Sequence, residues 1–181
     1  MGCYWEGEAA LGALEGVVAT RAGFLDGEES VELSFDPRVI SYPELVKRAA
    51  ALKCATRVFA RSEAQLGAAR RLVGGRAVRS DETARAARRS DQEFYLGRST
   101  LRFLPLTPLQ ATRVNASLGS GGDPARWLSP RQRTLAGEID AAFRRDPGRV
   151  ARLERPASIA ALPAYERDLR AALARGVRAG G

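Results

Sequence analysis

Two thiols, Cys3 and Cys54, are the side chains of this 181-residue chain best suited to covalent chemistry. Cys3 stands directly before a helix-like run, where free backbone N–H groups and the positive end of the helix dipole favour a thiolate. Tyr4 and Trp5 follow it and offer an apolar wall for a small substrate group. The alternative for such a cysteine is a small buried residue with no chemistry. The chain has no histidine. Ser-His-Asp and Cys-His machinery, His-bearing zinc sites and histidine pH switches are therefore excluded. Two cysteines are too few for a thiolate metal cage. Glu28 and Glu29 are neighbours on a strand-like run and point to opposite faces, so they are no glycosidase-type pair. The glycine clusters Gly74-Gly75-Arg76 and Gly119-Ser120-Gly121-Gly122 lack both a lysine and a phosphate-loop frame.

The elements that must position these groups are read from hydrophobic period and punctuation. Residues 6–14 form a short helix with Ala9, Ala10, Leu11 and Leu14 on one stripe, stopped near Gly16. Residues 17–24 are β-like, and Asp26-Gly27 marks a turn. Residues 29–35 alternate, with Val31, Leu33 and Phe35 on one face, as in a half-buried strand closed by Asp36-Pro37. Ser41, with Glu44 three residues on, opens a helix whose face is Leu45, Val46, Ala49 and Leu52. Helix, strand, strand, helix over the first 55 residues would become a split βαβ plait if a strand preceded Cys3. The expectation is that the chain is truncated or that its true start lies upstream.

Beyond residue 55 the pattern is mainly helical: residues 61–72 and 81–96 are rich in Ala and Arg. Thr107-Pro108-Leu109-Gln110 and Ser129-Pro130-Arg131-Gln132 share one start design, a hydroxyl cap, proline at the first position and glutamine at the third. Trp127 reads as a staple onto the second of these helices. Residues 164–175 give a last amphipathic helix, and residues 178–181 a frayed tail.

Charge is divided unevenly. Residues 1–54 carry −4 and residues 55–181 carry +12, within a total of +8, and 27 of the 29 basic residues are Arg. A basic half of this kind serves either an anionic partner or solvated helix faces. Aromatics make up only 7% of the chain and are not interleaved with the basic runs, so no nucleic-acid partner is expected. No segment is apolar enough to cross a membrane and no signal peptide is visible, which makes a cytoplasmic protein the expectation.

Gly2-Cys3-Tyr4-Trp5-Glu6-Gly7-Glu8 resembles the Gly-Cys-Phe-Trp-Gly-x-Glu signature of the peptide-methionine (S)-S-oxide reductases, the MsrA family. The likeness continues through Leu14-x-Gly16-Val17, Thr20-x-x-Gly23-Phe24, Glu29-x-Val31, Asp36-Pro37 and Ile40-Ser41-Tyr42-x-x-Leu45. Pro105-Leu106-Thr107-Pro108-Leu109-Gln110 resembles a further stretch of the family. The resemblance is strong over residues 2–46, patchy to about residue 117, and absent after that. It implies that Cys3 attacks a sulfoxide sulfur and becomes a sulfenic acid, and that Glu29 protonates the sulfoxide oxygen from a buried position. It implies that Tyr4 and Trp5, with Phe24 beside them, hold the methyl group. Glu8 matches a glutamate with a structural role. The family segment that supplies a second oxygen-binding tyrosine is not recognisable, but Asp91 and Tyr95 lie at about the right distance before Pro105 to supply an Asp and a Tyr.

The departures are as specific. The family's glycine-rich loop with its tyrosine is missing, Gly27 replaces its histidine, and its His-Asp-Pro is gone near Lys53-Cys54-Ala55. Family resolving cysteines lie in a C-terminal tail, which here has none. Cys54 either resolves the Cys3 sulfenic acid as a disulfide or is a buried helix-end residue, an external thiol then doing the resolving. The expected fold is α+β: a ferredoxin-like plait of the MsrA type lacking its first strand, followed by a mostly helical half. Residues 1–118 would form the catalytic domain and residues 119–181 a helical extension. The expected activity is thiol-dependent reduction of methionine S-sulfoxide, free or in peptides, with thioredoxin or another thiol as reductant and no metal or organic cofactor. A decayed MsrA-like binding module and a Cys3/Cys54 redox protein are the alternatives.

Overall fold

The computed structural model describes residues 2–156 and 158–174. Helix α1 (Tyr4–Gly12) starts from Cys3, whose extended backbone (φ −151°, ψ 129°) is that of an N-cap. The chain then turns at Gly16, where φ is +88° and a Cβ would meet Ile40 Cγ2 at 2.4 Å, so the turn demands glycine. Strands β1 (Val17–Leu25) and β2 (Glu28–Phe35) pair antiparallel. Asp26 and Gly27, both at positive φ, make the tight turn that matches strand twist. Helix α2 (Tyr42–Ala51) follows, with Ser41 Oγ accepting from the Glu44 amide.

The next segment forms a small parallel unit: β3 (Val58–Ala60), helix α3 (Glu63–Val73) and β4 (Ala77–Arg79). Its strands are three residues each, too short to leave a periodic signal in the sequence. The helix expected over residues 81–96 is not formed. Instead β5 (Arg85–Ala86) pairs antiparallel with β1 at Gly23 and Phe24, giving the sheet order β2-β1-β5. The Ala87 amide bonds to Ala22 O, and Gln92 closes on Ala22 N (3.0 Å), Ala22 O (2.8 Å) and Ala87 O (3.2 Å). Pairing with β1 thus outweighs the helix propensity of an Ala- and Arg-rich run. Only α4 (Phe94–Gly97) is α-helical there.

The rest is helical: α5 (Pro108–Gly119), α6 (Pro130–Arg145), α7 (Gly148–Ala151) and α8 (Leu162–Ala174). Both expected capping boxes form, at Thr107/Gln110 and Ser129/Gln132. Trp127 packs back toward α5, its Nε1 donating to Ser117 Oγ at 2.9 Å. The largest apolar cluster joins Leu96, Phe103, Leu104 and Val114 to Leu135, Ile139, Val150 and Leu169, so the expected boundary at 118/119 runs through it. The class is α+β. The ferredoxin-like plait stays an expectation. The tail at 178–181 lies outside the described residues. Among the described residues no helix is long and apolar enough to cross a membrane.

Candidate active site

Cys3 caps α1 without using its side chain, since no capping hydrogen bond reaches the sulfur. The first-turn amide of Tyr4 is taken instead by Glu29, whose Oε2 accepts at 2.8 Å. The hairpin is what brings the two together: Glu29 lies at the start of β2, directly opposite Phe24 on β1. The Glu29 carboxyl thus meets the Tyr4 amide, next in sequence to Cys3, across 25 residues of chain.

The aromatic groups form the adjoining wall. Tyr4 is 7% exposed and meets Trp5 and Phe24 edge-to-face, with centroids 5.8 and 5.6 Å apart. Trp5 stacks on Phe94 at 3.8 Å. The Tyr4 hydroxyl donates to Asp91 Oδ2 at 3.3 Å. Burial first, and then the Asp91 carboxylate, hold that phenol above its ordinary range, so it stays a neutral donor. Cys3, Tyr4, Trp5, Phe24, Glu29 and Asp91 therefore lie in one neighbourhood around Tyr4.

Glu29, Tyr95 and Cys54 differ from these in their setting. Glu29 is exposed rather than buried, because it begins a strand whose first two residues are left uncovered. Tyr95 packs its ring where a Gly119 Cβ would fall, 2.8 Å from that position, and meets the Phe94 ring edge-to-face. Cys54 is a free, half-buried thiol, as Cys3 is, and its Sγ donates to Leu52 O at 3.5 Å. Burial pushes the Cys54 thiol up, and the charge of Glu6 in the first turn of α1 adds to this. Cys54 also lines a cavity of about 200 Å³ together with Glu29, Tyr42 and Leu33.

A stretch of 59 residues is 37% identical to the protein named Peptide methionine sulfoxide reductase A5 from Arabidopsis thaliana. It covers 25% of this chain and 23% of that relative. No family model matches the chain.

The supports of the site were less visible in the sequence. Glu8 is fully buried, accepting from Thr20 Oγ1 (3.3 Å) and from the Glu93 amide (2.8 Å). Desolvation drives its pKa up to about 7, against the hydrogen bonds it accepts. Arg113 donates to the carbonyls of Gly12 (2.7 Å), Leu14 (2.8 Å) and Val17 (3.0 Å), satisfying the end of α1 that lies opposite Cys3. Asn115 Oδ1 accepts from the amides of Tyr95 and Leu96 and so sets the start of α4. For Glu8 a signal existed: it follows Tyr4 by four residues and shares its helix face.

Proposed function

We propose that this chain is a thiol-dependent reductase of methionine S-sulfoxide, free or in peptides. The observation that carries the reading is the Glu29 carboxyl on the Tyr4 amide, one residue from Cys3 and beside an aromatic wall. The similarity over 59 residues to a protein named as a peptide methionine sulfoxide reductase supports it. Residues 1–118 carry the chemistry on this reading and residues 119–181 are a helical extension.

The Cys3 thiolate attacks the sulfoxide sulfur, while Glu29 delivers a proton to the oxygen. Tyr4, Trp5 and Phe24 receive the methyl group, a slot that a sulfoxide fits because its sulfur carries one apolar and one polar substituent. The S–O oxygen passes to Cys3 as a sulfenic acid and the thioether leaves. A thiol then attacks Cys3 sulfur, releasing water and forming a disulfide, which a second thiol reduces. Two thiols are oxidised for each sulfoxide reduced. Thioredoxin or a small thiol serves as reductant. If Cys54 is the first of these thiols, its raised pKa makes that step faster as pH rises, because the thiolate is the attacking form.

The exposure of Glu29 favours a second reading, a binding module on the same scaffold whose site has decayed. One assay separates them: dithiothreitol-driven turnover of the S and R epimers of methionine sulfoxide. Turnover of the S epimer alone, abolished by Cys3→Ser, is expected. Absence of turnover from folded protein with a titratable Cys3 thiol would transfer support to the binding module, and an active Cys3→Ser would remove the mechanism.

A further inference from the structure

Residues 153–156, between α7 and α8, reach back across the fold to the loop that borders the aromatic wall. Arg155 makes an ion pair with Glu93, their side chains 17% and 22% exposed. Beside it Arg89 bridges to the same segment, with Nη1 3.0 Å from Glu154 Oε2 and Nη2 donating to Arg155 O at 3.3 Å. Glu93 lies between two residues that reach the site. Asp91 on one side receives the Tyr4 hydroxyl, and Phe94 on the other stacks on Trp5.

Glu93 has a left-handed backbone, φ 45° and ψ 50°, a conformation that glycine or asparagine adopts more readily. Such a residue persists only where its surroundings fix it. Its amide is held by the buried Glu8 carboxyl and its side chain by Arg155. What glutamate offers here that glycine lacks is a carboxylate able to reach that guanidinium. The two carboxyls repel each other, and the Glu93 charge helps to raise the pKa of Glu8. Arg155 supplies the opposite charge that lets Glu93 stay beside Glu8 in a half-buried place.

Resting on the reductase reading above, we infer that Arg155 is a positioning residue for the substrate slot. It acts through Glu93 to hold residues 89–94 against α1 and β1, so that Asp91 and Phe94 keep Tyr4 and Trp5 in place. The segment expected to be a helical extension then completes the site from outside it.

The test compares Arg155→Met, Arg155→Lys, Glu93→Gln and the Met/Gln double variant in the full chain. Amide exchange is followed over residues 85–96 and, as an internal reference, over α6. For Arg155→Met we expect faster exchange in 85–96 with α6 unchanged. The KM for methionine S-sulfoxide should rise roughly tenfold with kcat little altered, the scale of one coupled polar pair. Arg155→Lys should recover part of both effects, and the double variant should add little to either single change. Unchanged exchange in 85–96, or exchange that rises equally in α6, would overturn the strap. An unchanged KM, or an equal fall in kcat alone, would overturn its role in the slot. If the wild type turns over neither epimer, the slot role falls with the reductase reading, and the exchange arm alone judges whether Arg155 holds the loop.

Discussion

The aromatic cluster at the start of α1 and the cluster between α5, α6 and α8 differ in how completely they close. Around the site, Tyr4, Ala22 and Ala87 are buried while Trp5, Phe24 and Val31 are only partly covered. In the helical half, twelve buried residues including Leu104, Ile139 and Leu169 pack together, and the polar ends of two helices are closed by reciprocal capping boxes. The first region also holds a fully buried carboxyl, Glu8, and leaves the Glu29 carboxyl in solvent. An accessible thiol and a half-covered slot are compatible with chemistry and weak as a core. The helical cluster provides the apolar burial that the site region lacks, at about 25 cal/mol per Å² of apolar surface. The two halves are joined by polar links: Arg155 to Glu93, and Arg113 to the end of α1.

Substitutions in each half break this contrast in opposite ways. Glu29→Gln should lower the chemical step by roughly 10²–10⁴-fold, as for a lost general acid, with unfolding stability nearly unchanged because the residue is exposed. Single-turnover kinetics and a denaturant titration read the two effects separately. A variant with full activity would assign the proton to another donor, for which the Tyr4 hydroxyl, a neutral donor to Asp91, is a candidate. Leu169→Ala should do the reverse. Leu169 is 0% exposed in the large cluster, so its loss should cost about 4 kcal/mol of stability. The activity of the folded fraction should stay close to that of the wild type. A drop in kcat at temperatures where the variant is fully folded would mean that the helical half tunes the site more directly than through the residue 153–156 strap.

The parts of this architecture that are local were legible in the sequence. Cys3 ahead of a helix, the Asp26-Gly27 turn and both hydroxyl-proline-glutamine starts each follow from residues within four positions of one another. What failed to show depends on partners far along the chain. Residues 81–96 carry helix formers, and only the exposed edge of β1 and the Gln92 side chain turn them into a strand and a short loop. The exposure of Glu29 depends on what covers the first turn of β2, which no spacing rule reports. The Arg155–Glu93 pair spans 62 residues and has no local signature. The aromatic wall sits between these cases: Tyr4, Trp5 and Phe24 were identified, but their contact with Phe94 and Asp91 exists only because β5 docks on β1. That docking requires Gly23, where a Cβ would meet Arg85 O at 2.7 Å.

The least drastic probe of the contrast is pH, because the site region holds a buried carboxyl with a raised pKa and the helical half does not. Glu8 titrates near 7 in the folded chain, against about 4.3 in an unfolded one. Between those values the folded state binds the proton more tightly. Its contribution to stability is therefore complete below about pH 4.3 and is lost as pH rises through about 7. The loss should be about 4 kcal/mol. Asp36, Glu44 and Glu166 have depressed pKa values through arginine and lysine partners, and act with the opposite sign at lower pH, so the windows are separate. Glu8→Gln mimics the protonated form, since the amide can accept from the Glu93 amide and donate to Thr20. It should match the wild type at pH 4.5 and exceed it in stability at pH 8. Urea titrations of the two proteins across that range measure the difference directly. Parallel stability curves would show that Glu8 is ionised throughout and that Arg155, rather than a proton, balances the Glu8–Glu93 pair.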